Sequence, residues 1–171
     1  MQLYGANYIA LVIIQFIGIS HTHFLSYSPG KILNHNAVEN KNLKGQFKKT
    51  FRKNDILYSE IRPANKRFAF VDFEKTSNYI ASTKLMVLRH NDNVLPEFLF
   101  ALLKSNYVIA ELQQLAETRS GTFPQITFLA ELAPMEVKLP DKETQKQIVS
   151  ILSSIEQRMN INEKINNNLV A

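Results

Sequence analysis

Beyond Pro140 the chain runs for 31 residues, Asp141 to Ala171, without a proline or a glycine, and this stretch constrains the fold more than any other. Pro and Gly are the residues that interrupt helices. Ile148, Ile151, Leu152, Ile155, Met159, Ile165 and Leu169 recur here at a helical period. A single helix of up to about 30 residues would extend about 45 Å at 1.5 Å per residue. That is too long to close a compact domain of this size, so the segment is expected to protrude and pair with a partner rather than pack along its own domain. A 3.5-residue register through Ile148, Leu152, Ile155 and Met159 reaches Asn162 and Asn166, with Ile165 and Leu169 alongside. Amides at such a seam lower stability while fixing register and partner number.

The preceding 140 residues carry the material of a folded domain: 45% of the 171-residue chain is hydrophobic, with 11 Phe and 6 Tyr. The runs 55–61 (DILYSEI), 67–73 (RFAFVDF) and 84–90 (KLMVLRH) read as three strands separated by turn-prone residues. Asn93 to Ala116 reads as one helix, with Pro96 in its first turn and one leucine-rich face. Phe128 to Leu139 is expected to hold a short helix and a final strand, Met135–Leu139. Residues 20–50 read as loops. Tyr8 to Ile19 is apolar but contains Gln15, lacks a preceding basic residue and falls short of the roughly 20 residues a bilayer requires. It is expected to be a buried strand or strand pair. The fold class is therefore α+β: a small mixed β-sheet domain with packed helices over residues 1–139, then one long coiled-coil-type helix over 140–171.

The charge is unevenly placed. Residues 31–75 contain 11 Lys/Arg against 5 Asp/Glu, whereas the rest of the chain has 9 against 10. Lys48, Lys49, Arg52 and Lys53 form one cluster and Arg62, Lys66 and Arg67 another, flanking the strand that starts at Asp55. Cations beside a β element suit phosphate recognition, since each neutralised phosphate releases counterions. Phe47, Phe51, Tyr58, Phe68, Phe70 and Phe73 are interleaved with them. The plainer alternative is a solvated basic face whose aromatics point into the core. Ser120 and Thr122, in the Gly121- and Pro124-broken segment 117–127, are candidate hydrogen-bonding loop residues.

Other chemistries find little support. There is no cysteine, so disulfides, thiolate metal sites and thiol nucleophiles are excluded, in keeping with a reducing cytoplasm. His21-Thr22-His23 has no evident third ligand and reads as surface or loop. No glycine-rich phosphate loop or dinucleotide fingerprint occurs. The best enzyme alternative is a metal-dependent nuclease using Asp55 and Glu60, because paired carboxylates can hold a cation beside a phosphate.

The stretch SGTFPQITFLAELAPMEVKLPDKETQKQIVSILSSIEQRMNINEKI (120–165) resembles the junction of a target-recognition domain with the long helix of type I restriction-modification specificity subunits, and NDILYSEIRP, ASTKLMVLRH and PEFLFALLKS resemble that family's internal strands and helix in order. The chain departs from the family pattern where Pro140-Asp141 replaces a double proline and where Glu143-Thr144-Gln145 replaces an adjacent Glu-Gln. The resemblance implies a non-catalytic protein without a cofactor, whose recognition domain reads half of a bipartite site on double-stranded DNA. It also implies that the helix pairs antiparallel with another such helix and docks methyltransferase subunits, through which a motor-nuclease subunit joins. Such subunits usually carry two recognition domains and two helices, so this chain, with one of each, is expected to be a half-length or truncated form that pairs with a second copy. The remaining alternative is a protein that pairs through the helix and never reads DNA. Cationic contact residues on this reading are Lys48, Lys49, Arg52, Lys53, Arg62, Lys66 and Arg67, with Ser120 and Thr122; Ile148, Leu152, Ile155, Met159, Asn162, Ile165 and Leu169 form the helix interface.

Overall fold

Strand residues alternate between faces, and Ile56 to Ser59 is buried at every position, so this strand has a hydrophobic layer on each side. The computed structural model describes residues 47–77, 79–119 and 122–169, without the Phe47 and Lys48 side chains, together with the backbone of four short strands nearer the N-terminus. Those four are β1 (Thr22–Phe24), β2 (Tyr27–Ser28), β3 (Lys31–Ile32) and β4 (Asn36–Val38), pairing as β1–β4 and β2–β3. There follow β5 (Phe47–Lys49), β6 (Ile56–Ser59), β7 (Phe68–Phe70), β8 (Ala81–Ser82) and β9 (Leu85–Leu88), then α1 (Pro96–Leu103), α2 (Asn106–Arg119) and α3 (Lys142–Leu169).

The central sheet has the order β7-β6-β9, in register Ile56↔Phe70 and Ile56↔Leu88. Ile56 and Tyr58 join Phe68, Met86 and Leu88 on the face covered by Leu99, Leu103, Val108 and Leu112 of α1 and α2. Leu57 joins Val87, Leu85, Val71, Ala81 and Phe51 on the other face. Aromatic rings link sheet to helix: Tyr58 stacks on Phe68 at 5.6 Å between centroids, and Phe68 meets Phe100 edge-on at 6.0 Å. Such pairs add about 0.5–1.5 kcal/mol each beyond the area they bury. Burial raises the pKa of the Tyr58 phenol, whose hydroxyl donates to the Leu103 carbonyl. Phe51, Tyr58 and Phe68 are thus buried, while Phe70 and Phe73 are half-buried against the two core clusters.

The α+β architecture and long final helix are as expected, with four departures. All described strand pairs are antiparallel, so the sheet is not mixed among the described residues. The expected helix from Asn93 to Ala116 is two helices broken at Lys104 and Ser105. The break has a local cause: the Ser105 hydroxyl accepts from the Val108 amide at 3.3 Å, starting a second helix in place of continuing the first. Ser105→Ala is expected to lower stability by about 1 kcal/mol in denaturant unfolding, with the slope unchanged. Met135–Leu139 forms no strand and follows a π-helical turn, Phe128–Leu132, while Met135 and Leu139 pack on the core as irregular chain. Within the expected loops of 20–50 lie β1 to β5. Tyr8–Ile19 and His21 fall outside the described residues. Among the described residues no helix is long and apolar enough to cross a membrane.

Helix α3 has 28 residues, about 42 Å at 1.5 Å per residue. Asp141 stands before its first turn and accepts from the Thr144 amide at 2.8 Å. Hydrogen bonds from the Thr144 amide and hydroxyl hold the Asp141 carboxyl below the usual carboxylate range. An N-cap thus stands at position 141, where the chain departs from the double proline of the pattern it resembles.

Candidate nucleic-acid interface

Arg52 and Lys53 sit at one end of β6 and Arg62, Lys66 and Arg67 at the other. From Asp55 to Glu60 the extended chain advances about 17 Å, at roughly 3.3 Å per residue. At the first end, Arg52, Lys53 and Asn54 form a turn in which Asn54 is left-handed (φ 68°), a conformation Asn tolerates better than most residues. Its anchor is Asp55, fully buried, whose carboxylate receives Nε and Nη2 of Arg89 at 2.7 Å each and the Arg52 amide at 2.8 Å. Arg52 and Lys53 are exposed, and Lys53 is paired with Glu74 at 2.5 Å. Lys49 is held differently: its ammonium donates to the Leu85 carbonyl at 2.7 Å and lies 3.4 Å from Glu60 Oε1. Two of the three donors of a lysine are thereby engaged. The Lys48 side chain and Ser120 lie outside the described residues.

At the second end, Arg62, Lys66 and Arg67 are exposed around a 3-10 turn, Pro63–Asn65. Arg62 (φ 46°, ψ 77°) and Lys66 (φ 52°, ψ 40°) are both left-handed. For a residue with a Cβ that conformation costs about 1–3 kcal/mol and persists only when neighbours impose it. Here the Ala64 amide donates to Gln113 Oε1 at 3.0 Å, the Lys66 ammonium reaches Asn106 Oδ1 at 3.5 Å, and the Arg62 amide donates to the Pro124 carbonyl at 3.0 Å. Helix α2 and the segment around Pro124 therefore clamp the turn.

The Pro124 contact brings together candidate residues far apart in sequence. Residues 124–126 run antiparallel to 60–62, through the Ile61↔Gln125 bridge and the Ile126 amide to the Glu60 carbonyl at 2.8 Å. Exposed Thr122 and Phe123 continue that course past the Arg62 turn. Gln125 Nε2 donates to Glu60 Oε2 at 3.1 Å, so Glu60 is shared between Lys49 and Gln125 and braces both segments. Arg62, Lys66 and Arg67 are exposed on a clamped turn bonded to the segment that carries exposed Thr122, while Arg52 and Lys53 stand apart at the far end of the strand. Sequence reasoning did not find Glu60 and Gln125 as braces. The available signal was the turn residues of 120–124 standing next to a polar Gln.

The paired-carboxylate alternative does not fit this geometry. Asp55 and Glu60 are five residues apart along an extended strand, which directs them to opposite faces, and both carboxylates are committed, to Arg89 and to Lys49 and Gln125. Among the described residues no group of three or more His, Asp or Glu side chains could hold a metal.

Arg62→Gly separates strain from charge. Glycine adopts the left-handed region freely, so the unfolding midpoint is expected to hold or rise, whereas duplex affinity falls about fivefold at 0.15 M salt, the share of one phosphate contact. Thermal melting and binding titration on the same variant check both.

The candidate helix interface divides into two parts. Ile148 is half-buried and, with Val149, packs on the domain core, because the first turns of α3 lie against α1. Ile148, expected at the partner seam, thus lies half-buried against its own domain. Beyond it, Ile155, Met159, Ile165 and Leu169 are 50%, 65%, 50% and 79% exposed, with Leu152 at 37%. Asn162 is exposed among them, as are Ile151 and Ile161, which the 3.5-residue register leaves out. Lys104 of the α1 end pairs with Glu156 and lies 5.1 Å over the Phe100 ring, so the domain touches one side of α3 as far as Glu156.

A family model described as the type I restriction modification DNA specificity domain matches residues 21–171. The type I restriction enzyme HindI specificity subunit of Haemophilus influenzae (strain Rd) is 48% identical over 146 residues, covering 82% of this chain and 31% of that protein. The HsdS subunit from Thermoanaerobacter tengcongensis superposes with a TM-score of 0.68 at 26% identity, covering 80% of this chain and 34% of that one. A chain from a study of complex assembly and conformational transition of the type I R-M system gives 0.67 at 26% identity, with the same coverage. The chain spans about a third of the length of the relatives it matches.

Proposed function

The chain belongs to the family of type I restriction-modification DNA specificity domains, and from that premise we propose that it is a DNA-reading unit without catalysis of its own. Its recognition domain reads one half of a bipartite duplex site. Its distal α3 surface joins a second specificity helix and docks methyltransferase subunits, which bring in the motor-nuclease subunit. The observation that carries this reading is the clamped turn of Arg62, Lys66 and Arg67, whose exposed cations are held on a loop bonded to the segment carrying exposed Thr122. Cations of this kind position a protein on the phosphate backbone, and adjacent polar side chains read base edges. Arg52 and Lys53 supply a second phosphate contact about one strand length away, whereas Lys49 serves the fold through Glu60 and Leu85.

A second reading has its own support: the exposed apolar α3 surface is equally the feature of a protein that only pairs with partners. Salt dependence separates the two. Contact with several phosphates gives a log–log slope of about −0.9 for each, so a steep negative slope supports the DNA reader. A flat response leaves pairing alone.

A further inference from the structure

A fully buried polar side chain is costly unless its hydrogen bonds are met. Gln145, in the first turn of α3, is 0% exposed, and its amide is satisfied by three backbone groups from outside that helix. Its Nε2 donates to the Asn93 carbonyl at 3.1 Å and to the Pro140 carbonyl at 2.9 Å, and its Oε1 accepts from the Leu95 amide at 2.8 Å. Asn93 and Leu95 lead directly into α1, and Pro140 ends the link before α3. One amide group therefore joins the start of α1, the end of the linker and the first turn of α3.

We infer that Gln145 is the positioning residue that fixes the direction in which α3 leaves the recognition domain. The other contacts at the junction are less directional. Ile148 and Val149 pack through apolar area, which resists separation but tolerates rotation. The Lys104–Glu156 pair joins two side chains that are 26% and 52% exposed, and exposed ion pairs contribute little. Among the described residues of the junction, it is the Gln145 amide, planar and bonded on both sides, that fixes an angle. On the DNA-reading proposal, that angle sets where the second recognition unit falls along the duplex. The spacing consequence rests on that proposal; the rigidity of the junction does not.

The chain has no cysteine, so Gln114→Cys on α2 and Lys164→Cys on the distal helix provide two label sites, both exposed in the parent. Distances are read by pulsed electron resonance on the full chain, diluted with unlabelled chain to remove contributions between copies. The expected result is one narrow distance in the parent, retained in Lys104→Ala and lost to a broad distribution in Gln145→Met, which keeps the side-chain length without its hydrogen bonds. A narrow distance that survives Gln145→Met, a parent that is already broad, or an equal broadening in Lys104→Ala would overturn the inference. Should Gln145→Met fail to fold, amide exchange in the unaltered chain decides. The Leu95 amide is expected to exchange as slowly as the core Leu99 amide, and exchange well ahead of Leu99 would also overturn the inference. No DNA enters these measurements, so a failure of DNA reading is seen separately.

Discussion

Replacing Arg62, Lys66 and Arg67 together with neutral side chains is expected to weaken binding to every duplex by about a hundredfold at 0.15 M salt, and to flatten the log–log salt slope by about 2.7. Each phosphate contact contributes a factor of about five at that ionic strength through counterion release, and three such factors multiply. All three side chains are exposed on a turn whose backbone is held by Gln113 and Pro124, so their removal leaves those anchors in place and loses the Lys66 side-chain bond to Asn106. Preference among sequences should change less than affinity does, because phosphate contacts position and base contacts specify. Neutralising Arg52 alone, at the other end of β6, should cost one factor of about five. Titration against two unrelated duplexes at several salt concentrations checks both numbers. An unchanged affinity in the triple variant would remove this turn from the interface.

Ile155→Asp is expected to weaken self-association or methyltransferase docking by about a hundredfold or more. Ile155 is half exposed in the middle of the apolar surface formed by Leu152, Met159, Ile165 and Leu169. When a partner covers it, the aspartate loses its water without gaining a hydrogen bond, and the lost apolar contact adds to that. A combined loss of about 3 kcal/mol corresponds to a factor above one hundred. The folded chain should hardly change, since the residue does not belong to the core of its own domain. Ile148→Asp is the informative contrast. Ile148 packs on the domain, so that variant should lose stability as well as association. Sedimentation velocity for assembly and thermal melting for stability distinguish the two positions.

The parts of the fold that were legible in the sequence are those where burial alone decides. The strands over 55–61, 67–73 and 84–90 form because a sheet covered on both faces needs nearly continuous apolar runs, and β6, β7 and β9 lie within them. The long helix was legible because nothing in it interrupts a helix. What stayed hidden depends on side chains meeting across long separations. The break between α1 and α2 contains neither Pro nor Gly, only a Ser105 hydroxyl that caps the second helix. Lys49 stands with Arg52 and Lys53 in sequence, yet its ammonium reaches Glu60 at the far end of β6. Likewise, Arg62 and Pro124 are 62 positions apart, and their backbones meet through one hydrogen bond. Gln145 stands in an exposed, polar first turn, and no composition rule marks it for burial; its place in the family's Glu-Gln pattern was the available hint.

Selection of bound duplexes from a random library by the full chain tests the central claim most directly, because reading sequence is what distinguishes a specificity unit from a basic protein or a pairing helix. The expected result is enrichment of one short motif, alone or repeated at a fixed spacing, that survives at 0.15 M salt. Recovery of the input distribution, with no motif enriched, would contradict it.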